Sequence, residues 1–393
     1  MTGFKQPYSL LSATSPGARR SCRAISKGRN DTGYWQEIER DISDHMDTLF
    51  GHAFCPECIP KLYPDLAEKM KDDSPARSPR TPPRPLGLEL RSRDGHRVRY
   101  TDVTRGEAMR VLDGHIHIHD GAPTPAALLE RMGTAGVEGG ILISLPPASF
   151  GGPRRTQAER LDNLIAWSGS SKGLHPFYWI DPLERDAGRQ VEVAVERGVA
   201  GFKVICDHFP PGDPIALRVF RRIASLRKPM LFHSGILWDG KASSQYNRPA
   251  QFEAFLDVEG LVFTLAHISW PWCDELVAVY GKLLNALERR PGLGVEMYVD
   301  LTPGTPPIYR KEALTRLLTV GYDVQGNLIF GTDCETGDYN AAWTREWLER
   351  DGGIYDGLGI PTAVREKIHA GNLERFLSLG DRPRRQGPRP AQT

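Results

Sequence analysis

Eight short runs of apolar residues recur along the chain from Met109 onward, with longer segments of mixed polarity between them. Each run is nearly continuous in apolar residues, which is typical of strands buried on both faces of a parallel sheet. The predicted strands are Met109–Ile118, Val137–Leu145, Leu174–Ile180, Val199–Ile205, Pro229–His233, Leu261–His267, Gly294–Leu301 and Asn327–Thr332.

The segments between these strands carry apolar residues at helical spacing. Ala187–Arg197, Pro214–Leu226 and Glu312–Val320 each place apolar residues on one side and charged residues on the other, the pattern of an amphipathic helix. Eight strand-and-helix units in about 270 residues match the size of one (β/α)8 barrel. A doubly wound parallel sheet fits the same alternation. The positions of the candidate functional residues must therefore decide between these two α/β folds.

Two segments lack any such pattern. Residues 71–105 include DDSPARSPRTPPRPLG, and residues 381–393 have a similar content of Pro and Arg. Sequences of this kind bury too little apolar surface to offset their ordering entropy, so we predict a linker and a disordered tail. The predicted division is a flexible N-terminus at 1–20, a small module at 21–70, the linker at 71–105, a barrel domain at 106–380 and the tail at 381–393.

The composition argues against several classes of protein. Lys and Arg total 50 against 49 for Asp and Glu, a net charge of +1, which gives no general attraction to nucleic acid or to an anionic membrane. No apolar run is long enough to span a membrane, residues 1–20 lack the apolar core of a secretory signal, and the six cysteines are too few for a disulfide scaffold. We therefore expect a cytoplasmic protein whose partner is a small-molecule substrate.

Polar residues stand at the carboxyl ends of five predicted strands. They are His115 and His117 in DGHIHIH, Lys203 in GFKV, His233 in LFHSG, His267 in LAHIS and Asp333 in IFGTD. In a (β/α)8 barrel all strands end at one face, and active sites lie there. In an open sheet the outer strands would lie too far apart to share a site. This placement favours the barrel.

The spacing of His115 and His117 indicates a metal site. Side chains two residues apart on a strand point the same way, so both imidazoles can hold one ion. Imidazole together with carboxylate suits zinc, iron or manganese. We predict a divalent metal, preferably zinc, held by imidazole and carboxylate ligands from among His115, His117, His233, His267 and Asp333. Asp333 would then take a proton from activated water, and His267 would polarise a carbonyl group or protonate a leaving group.

A family resemblance is carried by DGHIHIH, GFKV, LFHSG, LAHISWPW, IFGTD and IHAGNLERFL, which span roughly residues 109–379. Together they resemble the amidohydrolase superfamily, and more narrowly the amidohydrolase-2 branch that includes aminocarboxymuconate-semialdehyde decarboxylase-like enzymes. The resemblance implies a distorted TIM barrel whose metal is bound by His115, His117, His233 and Asp333. It also implies that His267 is a ligand of a second metal or, with one metal, an acid/base group. A homodimer is in keeping with it.

Lys203 leaves the number of metal ions open. In two-metal members of the superfamily a carboxylated lysine at the end of strand four bridges the ions, and Lys203 stands at about that place. A protonated amine does not coordinate a metal, so Lys203 is either carbamylated or a cation that pairs with a carboxylate or a substrate anion.

Long loops after the fifth, sixth and seventh strands predict the substrate pocket. The loop Gly235–Pro249 contains Trp238, Lys241 and Arg248, and the loop after strand six contains Trp270. We predict Trp238, Arg248, Trp270 and Lys203 as substrate-binding residues, for an aromatic or carboxylated small molecule. In the alternative interpretation, the tryptophans only fill the barrel mouth.

The small N-terminal module resembles a cysteine-containing segment at the ends of bacterial signalling proteins with PAS or receiver domains. Those segments open with a CxxC, whereas here Cys22 remains and Ile25 stands at the expected partner position. Cys22, His52, Cys55 and Cys58 could still form a structural Cys3His zinc site. The alternative is a small helical module with free thiols.

Three functions follow from these observations. The first is a metal-dependent hydrolase in which activated water attacks an amide, lactone or related C–N or C–O bond. The second is a non-oxidative decarboxylase or hydratase that uses the same metal on an aromatic carboxylic acid. The third is an inactive scaffold linked to signalling through the N-terminal module. Fold alone does not give the reaction. The main reason to favour an enzyme over a scaffold is that the full set of predicted metal ligands is present in the sequence.

Overall fold

The computed structural model describes residues 109–121, 124–151 and 155–381. The predicted module at 21–70, with Cys22, His52, Cys55 and Cys58, lies outside the described residues. The linker and residues 382–393 of the predicted tail lie outside them as well.

A parallel sheet of nine strands curls through these described ranges into a distorted barrel. The strands are β1 (Val111–His117), β2 (Val137–Ile143), β3 (Leu174–Trp179), β4 (Gly201–Val204), β5 (Met230–Phe232), β6 (Val262–Leu265), β7 (Glu296–Asp300), β8 (Leu328–Ile329) and β9 (Cys334–Glu335). Their order is β8-β7-β6-β5-β4-β3-β2-β1-β9 and all pairs are parallel. The predicted (β/α)8 barrel is confirmed, and each predicted strand is present in shortened form.

The last strand of the barrel is split in two. β8 pairs with β7, whereas β9 pairs with β1, and the sequence had predicted one continuous strand. Two backbone hydrogen bonds close the barrel between them. Gly114 N–H donates to the Phe330 carbonyl at 2.9 Å, and Asp333 N–H donates to the His115 carbonyl at 2.9 Å. The seam of the barrel therefore runs through two of the predicted metal ligands.

Helices cover the outside of the sheet and, at one end of the barrel, the amino ends of its strands. They are α1 (Pro125–Thr134), α2 (Gln157–Ser168), α3 (Ala187–Glu196), α4 (Pro214–Ser225), α5 (Cys273–Arg289), α6 (Pro307–Thr319), α7 (Ala341–Gly357), α8 (Thr362–Glu366) and α9 (Asn372–Leu377). α6 begins earlier than predicted because Pro307 provides a favourable first helical residue. No helix among the described residues is long and apolar enough to cross a membrane.

Two apolar clusters hold the barrel together, one between sheet and helices and one inside the sheet. α9 lies at the amino ends of the strands, where Phe376 packs against Tyr298 and Phe177 at ring-centroid distances of 5.0 and 6.2 Å. Aromatic packing of this kind makes the lower barrel a filled core. The polar residues predicted at the carboxyl ends of the strands lie at the opposite face.

A buried ion pair joins α6 to α7. The Arg310 guanidinium donates two hydrogen bonds to the Asp351 carboxylate, at 2.9 and 2.7 Å, and one to the Leu301 carbonyl at 2.7 Å. Both side chains are 1% exposed. Because Leu301 directly follows β7, this pair fixes the end of that strand from outside the barrel.

Candidate metal centre

Three predicted ligands converge where β1 meets the split last strand. The Nε2 atoms of His115 and His117 lie 3.1 Å apart, and Asp333 Oδ1 lies 3.4 Å from each of them. Among the described residues, these three form the one group whose ligand atoms all lie within 4.8 Å of one another. Three lone-pair donors this close together fit a divalent cation, which would satisfy all of them at once.

A carboxylate that the sequence reading did not single out orients the first imidazole. Asp300, the last residue of β7, accepts a hydrogen bond from His115 Nδ1 at 2.6 Å and one from Thr302 N–H at 2.7 Å. Both His115 and Asp300 are 1% exposed. A proton held on Nδ1 leaves the Nε2 lone pair free for a metal, the usual arrangement around metal-binding histidines.

The backbone at Asp333 is bent into the left-handed region, with φ of +60°. The buried Asp113 carboxylate holds this bend. It accepts hydrogen bonds from Thr332 N–H (3.0 Å), Thr332 Oγ1 (2.6 Å) and Tyr339 Oη (3.0 Å), and from His115 N–H at 3.0 Å. A non-glycine residue in this conformation is strained unless its surroundings fix it. Asp113 therefore ties the two ends of the barrel together at the predicted metal ligands.

The Asp333 carboxylate is an open and ionised member of the group. Its side chain is 42% exposed to the cavity above. Desolvation raises its pKa, but the nearby imidazole of His115 and the hydrogen bond from His117 outweigh this and hold the pKa of Asp333 well below its usual range. It is thus a carboxylate at neutral pH, able to bind a cation and to accept a proton.

His233 and His267 lie beside this group rather than within it. The His233 and His267 ring centroids are 5.0 Å apart, and those of His267 and His115 are 5.5 Å apart. His233 Nε2 lies 3.2 Å from the Ile236 carbonyl, so it donates a hydrogen bond there. His233 thus lies beside His267 in the lining of the cavity above the three-residue group, and it is not a member of that group.

His267 is held by Thr302 and Gly304. Its backbone N–H donates to Thr302 Oγ1 at 3.3 Å, and the same hydroxyl contacts its Nδ1 at 2.9 Å. A Cβ on Gly304 would lie 2.4 Å from the His267 Cβ, so only glycine lets the β7 loop pack this closely. Burial lowers the pKa of His267 to about 4, and the ring is neutral at pH 7.

Lys203, on β4, lies next to the predicted metal ligands. Its Nζ lies 3.2 Å from His115 Nε2, and the residue is 1% exposed. Burial lowers the pKa of Lys203 to about 8, although the charges of Asp333 and Asp300 oppose this. The amine is therefore close enough to the ligand group either to bridge two metal ions as a carbamate or to act as a cation beside the substrate, the two roles predicted from the sequence.

A cavity of about 1040 Å³ opens above these residues. Trp238, Trp270 and Lys203 line it, as predicted for substrate-binding residues, with Phe150 and Trp179 among the lining residues contributed by the β2 and β3 ends. Trp238 is 81% exposed, so its indole does not fill the barrel mouth.

Arg248, the fourth predicted substrate-binding residue, points elsewhere. Its guanidinium pairs with Glu275 at 2.5 Å and lies over the Trp272 ring, 5.1 Å from its centroid. It is not among the residues that line the cavity within the described part of the chain. Lys241 of the same loop does line the cavity, and the sequence alone did not distinguish these two cations.

Comparisons with known proteins give structural likenesses at low identity. No protein-family model and no curated protein matches the sequence. The chain is similar to a zinc-bound amidohydrolase from Burkholderia multivorans (14% identity, 68% of this chain and 99% of that chain, TM-score 0.47). It is also similar to amidohydrolase 2 from Bifidobacterium longum subsp. infantis (14%, 69% and 100%, 0.41) and to dihydroorotase from Campylobacter jejuni (13%, 68% and 82%, 0.43). At these scores the likenesses carry no inference about activity.

Proposed function

We propose that the chain is a metal-dependent hydrolase that cleaves an amide, lactone or related C–N or C–O bond of a small molecule. The observation that carries this proposal is the group formed by His115, His117 and Asp333 beneath a cavity of about 1040 Å³. A cavity of this size accommodates an ordinary metabolite.

The chain's own donor set indicates which residues would hold the ion. His115, His117 and Asp333 provide three ligand atoms, and His233 directly follows β5, the strand that pairs with β4 and thus with Lys203. We propose His233 as the fourth ligand and zinc as the metal. A bound zinc supplies Lewis-acid activation, which brings the pKa of water to about 7 and polarises a carbonyl oxygen.

Asp333 is the proposed proton acceptor. One of its oxygens faces the two imidazoles, and its side chain is open to the cavity. The low pKa of this carboxylate keeps it ionised, and a carboxylate at a metal centre can accept the proton of attacking water through its second oxygen.

His267 is the proposed proton donor. The Thr302 hydroxyl accepts a hydrogen bond from the His267 backbone N–H, so its own proton is free to be donated to His267 Nδ1. The ring of His267 then carries its proton on Nε2. A neutral imidazole with Nε2–H toward the cavity can hydrogen-bond a carbonyl oxygen or protonate a leaving group.

The buried position of Lys203 beside the ligand group favours a second candidate function, a non-oxidative decarboxylase. If it stays an ammonium, a buried cation beside the ligand group would hold a substrate carboxylate, as a non-oxidative decarboxylase of an aromatic acid requires. If it is carbamylated, it would bridge two ions and favour hydrolysis.

The test is metal content and turnover of the full-length chain purified without added metal. We expect one or two zinc ions per chain, with His117→Ala and Asp333→Ala losing metal and turnover on a panel of amides, lactones and aryl esters. Asp338→Ala, at a carboxylate that is 95% exposed, is the matched control. A Cys55→Ser, Cys58→Ser double variant identifies any zinc held outside the barrel.

Each outcome decides between the functions. Release of CO2 from aromatic acids without hydrolysis would favour the decarboxylase, and two barrel metals would favour a carbamylated Lys203. Wild-type protein without metal in the barrel would overturn the proposal. Bound metal with neither hydrolysis of the panel nor release of CO2 from aromatic acids would favour the scaffold hypothesis.

A further inference from the structure

We propose that Lys241 determines substrate specificity by binding an anionic group of the substrate, such as a carboxylate, at the cavity side formed by the β4 and β5 loops. This inference rests on the proposed function, because it assigns a substrate class to the same cavity. Lys241 lines that cavity and its side chain is 55% exposed.

The loop that carries Lys241 is firmly anchored. Gly235 N–H donates to the Asn247 carbonyl at 2.9 Å, Asn247 Nδ2 donates to the Cys206 carbonyl at 2.9 Å, and Ile236 N–H donates to the Trp270 carbonyl at 3.0 Å. These bonds tie both ends of the loop to the ends of β4 and β6. A residue on such a loop is presented in a fixed position before any ligand arrives.

Two carboxylates fix Lys241 itself. Its backbone N–H donates to Asp239 Oδ1 at 3.0 Å, and Asp239 also accepts from Ser243 Oγ at 2.9 and 2.8 Å. The Nζ atom of Lys241 lies 3.2 Å from Asp207 Oδ2. Asp239 is thereby used in shaping the loop, whereas Asp207 sets the position of the ammonium.

Asp207 is well suited to this positioning role. Its side chain is 4% exposed, and its other oxygen lies 2.6 Å from His208 Nδ1. The far side of the His208 ring, Nε2, lies 3.5 Å from Asp181. Asp181 follows β3 and Asp207 follows β4, so the chain Asp181–His208–Asp207–Lys241 connects two strand ends to one side chain of the loop.

The remaining capacity of the ammonium points to an anionic ligand. An ammonium has three N–H donors, and Asp207 takes one of them. The acids on the β1 side of the cavity have their own partners, since Asp120 pairs with Arg155 and Glu335 pairs with His119. Within the described part of the chain, two donors of Lys241 are therefore available to a ligand.

The neighbouring Trp238 narrows the class of ligand further. It lines the same cavity and is 81% exposed, so it offers an indole face three residues before the cation. A flat or apolar group that carries an anion would contact both side chains.

The experiment compares benzoate with benzamide, which are alike in size and planarity but differ in charge. Binding to the full-length protein is measured by titration calorimetry. We expect Lys241→Met to weaken benzoate binding about tenfold, as for loss of a charge-assisted hydrogen bond at a partly exposed site, and to leave benzamide unchanged. Lys241→Arg should restore most of the benzoate affinity. Lys172→Met, at an exposed lysine just before β3 and thus at the opposite end of the barrel, makes the same change in net charge and should have no effect.

Three results would overturn the inference. They are absence of saturable benzoate binding to the native protein, equal benzoate affinity in the native and Lys241→Met proteins, and equal weakening of both probes, which would make Lys241 only a loop anchor. Metal content and turnover are measured on the same samples. Because binding is read without turnover, failure of the proposed hydrolase activity would be seen separately from failure at Lys241.

Discussion

The contact between Asp300 and His115 makes a sharp prediction about metal affinity. Asp300→Asn keeps the side-chain size, and its amide oxygen can still accept the Thr302 N–H hydrogen bond of 2.7 Å. Its amide nitrogen would then face His115 Nδ1 across the present 2.6 Å contact. Two N–H donors cannot face each other, so the His115 proton must move from Nδ1 to Nε2.

That shift would place a proton on the atom proposed to bind the metal. His115 Nε2 lies 3.1 Å from His117 Nε2 and 3.4 Å from Asp333 Oδ1. Loss of such an orienting carboxylate typically weakens metal binding by about 10- to 100-fold. This corresponds to about 1.4–2.7 kcal/mol. We expect the upper part of this range because both partners are 1% exposed and no water can substitute.

The assay is zinc competition against a chromophoric chelator, with thermal unfolding of each protein measured in parallel. Asp351→Asn is the matched control, since Asp351 is equally buried and the same chemical change is made at a carboxylate whose hydrogen bonds go to Arg310 and not to a predicted metal ligand. It should lower stability and leave the zinc Kd of the folded protein unchanged. An Asp300→Asn protein that folds and binds zinc as tightly as wild type would refute the reasoning.

Three further predictions concern stability and catalysis. Asp351→Asn should lower the free energy of unfolding in urea by about 3–5 kcal/mol by leaving Arg310 buried without its partner, whereas Asp356→Asn, at a carboxylate 72% exposed, should change it by less than about 1 kcal/mol. Metal-free protein should lose stability as the pH falls from 6.5 to about 4, because the native pKa of His267 lies below its unfolded value. The thermal unfolding temperature of His267→Gln should therefore depend less steeply on pH. An unchanged pH dependence would contradict the lowered native pKa of His267. Gly304→Ala would place a Cβ 2.4 Å from the His267 Cβ, so kcat should fall about tenfold through displacement of that ring while zinc content stays constant; unaltered kcat would exclude a close role for the ring.

The barrel could be predicted because its strands are buried on both faces. Each apolar run in the sequence became a strand, since a parallel sheet under a layer of helices leaves little room for polar side chains. The carboxyl ends of the strands could also be predicted, because a polar residue directly after an apolar run marks the point where burial on both faces ends. His115, His117 and Asp333 were found in this way, and the structure brings them together.

The features that sequence reading missed depend on tertiary contacts. Asp300 also closes an apolar run, but a single carboxylate at a strand end gives no sign that it will meet His115. β9 is two residues long, too short for any periodic pattern. Arg248 and Lys241 are both cations of the same loop, and their sequence surroundings do not distinguish them. The hydrogen bonds of Asn247 and Asp239 set the course of the loop and thereby decide which cation faces the cavity.

The seam of the barrel has a consequence for the order in which the protein becomes functional. Thr332 and Asp113, which hold the bend at Asp333, are separated by 219 residues along the chain. Contacts of such large separation form late, after the entropy of closing the intervening loop has been overcome. A nascent chain emerging from the ribosome therefore exposes His115 and His117 long before Asp333 is synthesised. The three side chains come together only when the two ends of the barrel meet, so the predicted metal site forms together with closure of the barrel.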